Sequence, residues 1–389
     1  MLNLVSTLLA VGLTTTPAAY HHSAKPSVSR SVSRSHVVSQ QGPHITARGA
    51  ILMDARTGAI MYEKDAFRQL DPASVTKMMT AILVIEHGHL SKTVTISKNA
   101  AYTVGSALHI APGQKYTVYD LLYGLLMRSG NDASVALAEA DAGSVSKFVA
   151  QMNMKAQELG AFNTQFENPN GLTKPGHFST AYDLALIARY AMTLPVFRKI
   201  VGTREGHIME LRHKTKRTLH NTNQLLYTFP DATGIKTGTT DAAGKCLVAS
   251  ATRNGQDLIA VVLHSQDRYA DAKNLLVWGF EHWSTTEIMR PGEEVARIPV
   301  QKGQTPTVPV QVTKPLWLSL PNQETYEIYV RPILLSAPVK RHQPAGFVSV
   351  IATGQPAYVA SLETMEADGV KTVHQSFWQW LRSRFSRGK

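Results

Sequence analysis

The sequence predicts an α+β chain: one antiparallel sheet flanked by helices, then a small C-terminal all-β domain and a terminal amphipathic helix. Three observations predict it. Two apolar runs around a glycine turn open the patterned part, helical periodicity fills the middle, and strand runs capped by one more helix close it near residue 285. After about residue 286 the texture shifts to short strand-like pieces separated by Gly and Pro.

Taken in order, Leu2–Leu13 is a short apolar run followed by the small residues of Thr14–Ala19. Residues 1–19 therefore read as a signal peptide, although no Lys or Arg precedes the run. Residues 20–45 are rich in Ser, His and Val, with Lys25, Arg30 and Arg34, and read as a basic low-complexity linker. The main domain is expected over 46–285. In it Gly49–Asp54 and Ala59–Glu63 form a hairpin around Arg56-Thr57-Gly58. Pro72 then stands ahead of a helix carrying Met78, Met79, Ala81, Ile82, Val84 and Ile85. Residues 117–141 and 144–159 read as helices, with an interruption at Met127–Asp132. Ser179–Met192 is another helix, with Thr180 and Asp183 as a capping-box variant. Strands follow through Lys236–Thr239, Cys246–Thr252 and Leu258–His264, and Asp271–Trp283 is helical. In the β domain, expected over 286–368, Pro291–Glu293, Val295–Val300, Thr307–Val312 and Trp317–Leu320 read as short strands.

Segment 369–389 differs from the rest. Val370, Val373, Phe377, Trp380, Leu381 and Phe385 recur at helical spacing, and Lys371, Arg382, Arg384, Arg387 and Lys389 follow the last acid, Asp368. Such a helix suits an in-plane anchor on an anionic membrane surface.

The chain has 389 residues and a net charge of +12, which favours an anionic partner. No zinc-finger, RNA-recognition or P-loop pattern is present, so nucleic acid is not expected. The one cysteine, Cys246, can form no intrachain disulfide and reads as a small core residue. Neither CxxC nor HExxH occurs and the 15 histidines are scattered, so no metal or other cofactor is expected.

Three motifs carry chemistry. In Ser74-Val75-Thr76-Lys77 a hydroxyl and an amine share one helix face. A lysine kept neutral by desolvation or a nearby cation can take the serine's proton. Ser129-Gly130-Asn131 interrupts two helices, as a loop facing a cleft would. Its serine could relay a proton to a leaving amine and its amide could orient Lys77. In Lys236-Thr237-Gly238-Thr239, strand alternation puts Lys236 and Gly238 on one face. Lys236 and Thr237 can hold a terminal carboxylate, Gly238 leaves room for a substrate backbone, and the N–H groups of Ser74 and Thr239 can form an oxyanion hole. The set is a toolkit for acyl transfer.

Together these motifs, in the setting Asp71–Thr80, Ser129–Ala133, Asn168–Leu172, His177–Asp183 and Gly234–Thr240, resemble the serine-type D-alanyl-D-alanine carboxypeptidases, the low-molecular-mass penicillin-binding proteins. The resemblance covers about residues 46–285 and implies a β-lactamase/transpeptidase-like fold. It implies removal of the terminal D-alanine of peptidoglycan stem pentapeptides, acylation by β-lactams, and action on the outer face of the bacterial membrane. Ser74 would be the acyl-enzyme nucleophile, Lys77 its general base, and Ser129 and Asn131 the second catalytic element. Lys236, Thr237, Gly238 and Thr239 would bind substrate. A class A β-lactamase is disfavoured, because Glu167-Asn168-Pro169-Asn170 has two residues between Glu and Asn where that family has three. A DD-endopeptidase shares all three motifs. A non-catalytic β-lactam or cell-wall binder is disfavoured because every candidate catalytic residue is present.

Overall fold

The computed structural model describes residues 42–352 and 357–371. The expected signal peptide, nearly all of the linker, and the anchor segment from residue 372 lie outside the described residues.

Among the described residues the first elements are strands β1 (Gly49–Asp54) and β2 (Ile60–Lys64), the expected hairpin. A 3-10 turn at Ala73–Thr76 runs into helix α1 (Lys77–His87). Strand β3 (Thr93–Thr95), helix α2 (Lys98–Ala101) and strand β4 (Lys115–Thr117) lead to helices α3 (Val118–Met127), α4 (Asn131–Ala142), α5 (Val145–Glu158), α6 (Ala181–Ala191) and α7 (Pro195–Gly202). A hairpin of β5 (Glu205–Glu210) and β6 (Thr215–His220) and the short helix α8 (Leu225–Thr228) precede β7 (Ala232–Thr240), β8 (Gly244–Arg253), β9 (Gln256–Ser265) and helix α9 (Arg268–His282).

Five strands form one antiparallel sheet in the order β2-β1-β9-β8-β7. Its central strands are buried on both faces, which is why they read as continuous apolar runs. Along β9, Ile259, Val261 and Leu263 enter the core shared with α1 and α3–α7, while Leu258, Ala260 and Val262 enter the core under α9. Period-two alternation thus builds two cores from one strand. Cys246 lies in β8 and is fully buried, as expected.

Several expectations are corrected. Ile45, placed in the linker, is buried in the second core, and Lys64 Nζ donates to its carbonyl at 3.0 Å. The capping box at Thr180 is only half made. Thr180 Oγ1 accepts from Asp183 N at 3.0 Å, but Asp183 Oδ2 turns to Asn163 N and Thr164 Oγ1, both at 2.7 Å. Trp283 is not helical: it opens β10 (Trp283–Met289).

Beyond it lie β11 (Ala296–Gln301), β12 (Thr307–Val312), β13 (Leu316–Pro321), β14 (Tyr326–Pro332), β15 (Leu335–Ser336), β16 (Pro344–Ala352) and β17 (Tyr358–Thr364). They form a six-stranded sheet, β14-β16-β17-β12-β11-β15, and a β10-β13 pair around their own core. Pro291–Glu293 is a turn, not a strand, because Gly292 takes φ +92°. The chain also stays extended through the start of the expected anchor helix. Val370 bridges Gly303, and Lys371 N donates to Lys302 O at 2.8 Å, so backbone pairing with the β domain overrides helical periodicity there.

Candidate active site

The turn before α1 presents Ser74 at the edge of the sheet, with the amine of Lys77 one turn further on. Lys77 Nζ lies 2.9 Å from Ser74 Oγ, 2.7 Å from Asn131 Oδ1 and 2.6 Å from the Asn170 carbonyl. The side chain is fully buried. Burial first, and then the Lys236 charge, push its pKa well below the ordinary lysine value, with Asp132 partly opposing. Asn131 Nδ2 donates to Val104 O at 2.7 Å, which fixes Oδ1 as the group facing Lys77. Both Asn131 Oδ1 and Asn170 O only accept. A neutral amine gives them its two hydrogens and keeps its lone pair for the Ser74 hydroxyl.

Asn170 enters through a segment pinned on two helices. Pro169 O accepts from Thr80 Oγ1 on α1 and Ser134 Oγ on α4, each at 2.6 Å. Gly171 is held at φ +86°, and a Cβ there would stand 1.9 Å from Ala73 O. His177 completes the arrangement. Its Nδ1 accepts from Glu167 N at 3.0 Å, so Nε2 carries the hydrogen donated to Thr76 Oγ1 at 2.9 Å. Burial lowers its pKa to about 4, the Lys174 charge adds to this, and Glu167 opposes it.

Ser129 sits between α3 and α4 with φ +62°, buried beside Asn131. Strand β7 forms the opposite wall. Lys236 is buried, its Nζ donates to Thr237 O at 2.9 Å, and burial together with the Arg268 charge lowers its pKa to about 7. Thr237 Oγ1 is 3.1 Å from Thr222 Oγ1. Thr239 is exposed and donates to Gly238 O at 2.8 Å. One expectation changes. The space over Gly238 is not open to substrate, since a Cβ there would lie 3.0 Å from both Pro72 O and Ser74 N. Glycine is needed because β7 packs directly on the nucleophile turn.

All three motifs thus meet at one cleft. Arg268, at the first turn of α9, was missed by the sequence reading. Its Nη1 donates to Gly238 O at 2.8 Å and Thr239 Oγ1 at 2.7 Å, and its buried Nε has no protein partner. The one signal was its position just after the Asp267 N-cap, where the helix dipole disfavours a cation. Thr222 carried no signal, and Asn170 was flagged only by the resemblance of Asn168–Leu172, which gave its carbonyl no role. A buried amine with a lowered pKa beside a serine, faced by Lys236 on β7 and Arg268 on α9, fits acyl transfer to a carboxylate-terminated substrate.

A family model described as D-alanyl-D-alanine carboxypeptidase matches residues 36–267. The chain belongs to the D-alanyl-D-alanine carboxypeptidase family. A second model, described as the C-terminal domain of penicillin-binding protein 5, matches residues 283–369. The chain is 35% identical over 352 residues to D-alanyl-D-alanine carboxypeptidase DacF of Bacillus subtilis, covering 86% of this chain and 90% of that one. Against DacC of Escherichia coli it is 33% identical over 374 residues, covering 89% and 92%. Among solved structures it resembles penicillin binding protein 5 from Haemophilus influenzae, with TM-score 0.74, 32% identity, and 85% of this chain and 99% of that one covered. It also resembles the D-alanyl-D-alanine carboxypeptidase DacD from Francisella tularensis, with TM-score 0.66, 26% identity, and 87% and 98% covered. These carboxypeptidase relatives span both the sheet-and-helix body and the β domain, in agreement with the fold and family expected from the motifs.

Proposed function

We propose that this protein is a serine DD-carboxypeptidase that removes the terminal D-alanine from peptidoglycan stem pentapeptides through a Ser74 acyl-enzyme. The observation that carries the reading is the buried Lys77 amine 2.9 Å from Ser74 Oγ, with two further acceptors, Asn131 Oδ1 and the Asn170 carbonyl, at 2.7 and 2.6 Å. Lys77 takes the Ser74 proton as Oγ attacks the carbonyl of the penultimate D-alanine. The N–H groups of Ser74 and Thr239 receive the oxyanion. Ser129 passes a proton to the departing amine, and free D-alanine leaves. Water then cleaves the ester with Lys77 again as base. Lys236, Thr237 and Arg268 hold the terminal carboxylate. A β-lactam presents a carbonyl and a carboxylate to the same groups and acylates the same serine.

Two finer statements belong to the same proposal. The protein acts outside the cytoplasmic membrane, with residues 1–19 as its export signal. Residues 369–389 contribute the membrane contact, carried by Phe377, Trp380 and Phe385 and by the basic residues around them. Because Gly369–Lys371 run extended against the β domain, the proposed helical contact is assigned to the residues after Lys371.

Product analysis tests the activity. Wild type and Ser74→Ala are incubated with diacyl-Lys-D-Ala-D-Ala and with cross-linked muropeptides. D-alanine released from the peptide by the wild type alone supports the proposal. Cleavage of cross-links alone replaces it with the endopeptidase, and penicillin binding without turnover replaces it with a binding protein.

A further inference from the structure

The β5–β6 hairpin carries a charge pattern that the acyl-transfer site does not use. Its inner face is fixed to the body. Ile208 and Leu219 enter the main core, and Gly206 lies so flat on α3 that a Cβ would meet the Tyr123 ring at 2.9 Å and Met127 Sδ at 3.0 Å. The rest is cationic and exposed. Arg204 precedes β5, Arg212 and Lys214 form the tip, and Lys216 lies on the outer face of β6. Among the described residues, none of these four has a carboxylate in salt-bridge reach.

The hairpin's two acids do not offset them. Glu205 pairs with His220 at 3.6 Å at the base. Glu210 is buried beneath the tip and is used as a structural acceptor. Its carboxylate takes N–H bonds from Lys115, Arg212 and His213 and contacts the His213 ring. Desolvation opposes its ionisation, but those donors outweigh it and hold the pKa at about 2. Lys214 itself adopts φ +54°, a conformation that glycine or asparagine would take with less strain.

Placement says what this surface faces. Thr222, two residues beyond β6, donates its N–H to Met127 O at 3.0 Å and touches Thr237. The base of the hairpin therefore adjoins the cleft, where exposed Arg128 stands next to Ser129. The two strands run six residues each, roughly 20 Å, along α3 to a tip held on β4, and the cations lie along that length. Exposed charges spaced along a hairpin do not suit one small anion. They suit a chain bearing anions at intervals. Lys371 N donates to Lys302 O in the β domain, so in sequence the proposed membrane segment follows the β domain and not this hairpin.

We propose that this hairpin is a docking track for the acidic stem peptides that neighbour the one being cleaved on the same polymer strand. Their carboxylates meet Arg204, Arg212, Lys214 and Lys216 while one peptide end occupies the Ser74 cleft. The identity of the partner rests on the carboxypeptidase reading. The track makes the enzyme prefer polymeric over soluble substrate through local concentration, without changing the chemistry at Ser74.

The test compares the wild type with the triple variant Arg212→Gln, Lys214→Gln, Lys216→Gln, each also in a Ser74→Ala background. Co-sedimentation with sacculi rich in uncross-linked pentapeptides is read on the Ser74→Ala pair at low and high salt. The triple variant should bind about tenfold more weakly at low salt, with a flatter salt dependence. Sacculi whose carboxylates have been amidated should abolish the difference. On soluble diacyl-Lys-D-Ala-D-Ala the triple variant should keep the wild-type kcat/KM. Equal sedimentation of the two proteins overturns the track. So does an equal loss on the soluble peptide, which would place the effect in the cleft. A difference that survives amidation, or that appears only on phosphatidylglycerol vesicles, overturns the stem-peptide partner in favour of a phosphate polymer or lipid. Failure of the wild type to release D-alanine refutes the carboxypeptidase reading alone, because sedimentation is measured without turnover.

Discussion

The amide of Asn131 is committed at both ends: Oδ1 accepts from Lys77 Nζ at 2.7 Å, and Nδ2 donates to Val104 O at the same distance. A charge change at this position therefore acts directly on the proposed base. Asn131→Asp places a carboxylate beside the amine, stabilises the ammonium and raises the Lys77 pKa. Acylation by a fluorescent penicillin should slow by about a hundredfold at neutral pH, with its rising limb moved to higher pH. A rate that is slow but independent of pH would show that Asn131 acts by another route.

Lys236 gives the pH profile a second limb. With a pKa lowered to about 7, it is charged below that value and loses its charge as pH rises through it. Its hold on a carboxylate weakens in the same direction, while neutral Lys77 becomes more abundant. The acylation rate should therefore pass through a maximum. In Lys236→Gln the falling limb disappears. The rising limb moves to higher pH, because removing a neighbouring cation lets the Lys77 pKa rise. Stopped-flow acylation across pH reads both limbs.

Arg268 is predicted to act on binding more than on chemistry. Its guanidinium is tied to Gly238 O and Thr239 Oγ1, and it has a buried Nε with no protein partner. Arg268→Gln should raise KM for peptides with a free terminal carboxylate by ~10–100-fold. Amidated peptides should be much less affected. Equal losses on both would tie Arg268 to the shape of β7 and not to the carboxylate.

His177 links the site to acid stability. Its folded pKa is about 4 against 6.5 for the free side chain, so the unfolded chain binds a proton that the folded chain refuses. This contribution is fully present above pH 6.5 and is lost as pH falls through the folded value. By pH 5 the loss amounts to about 2 kcal/mol. Urea unfolding of the wild type at pH 7 and pH 5 should show that drop. His177→Gln can still accept from Glu167 N and donate to Thr76 Oγ1, and should show a smaller drop between the two pH values.

Much of this was legible from sequence, for physical reasons. Both faces of the central sheet are buried, so β8 and β9 had to be apolar through Cys246–Ala249 and Leu258–Leu263, and the Gly58 turn marked the first hairpin. Ser74 and Lys77 were readable because helical geometry alone joins residues three apart. The reasoning failed where contacts depend on distant packing. Arg268 meets Thr239 only because α9 begins beside the end of β7, and no spacing rule encodes that. The reason for Gly238 was misread because a missing side chain shows that something lies close, not whether it is substrate or the chain itself. Val370 fitted a helical stripe, yet a bridge to Gly303 claimed its backbone.

Gly171 offers the sharpest test of how the site is assembled. Its φ of +86° lies where L side chains are strained, and its Cβ position is occupied by the carbonyl of Ala73, the residue before the nucleophile. Alanine there cannot be relieved by a rotamer change, since the obstacle is backbone. Either the Asn168–Leu172 segment lifts, withdrawing the Asn170 carbonyl from Lys77, or the Ser74 turn shifts. Both routes damage the same hydrogen-bond set. Gly171→Ala should lower stability by about 3 kcal/mol, and penicillin acylation should fall even at temperatures where the variant remains folded. Thermal unfolding and acylation measured together decide the point. A stable variant with normal acylation would mean that the Ala73–Gly171 contact is not what positions Lys77.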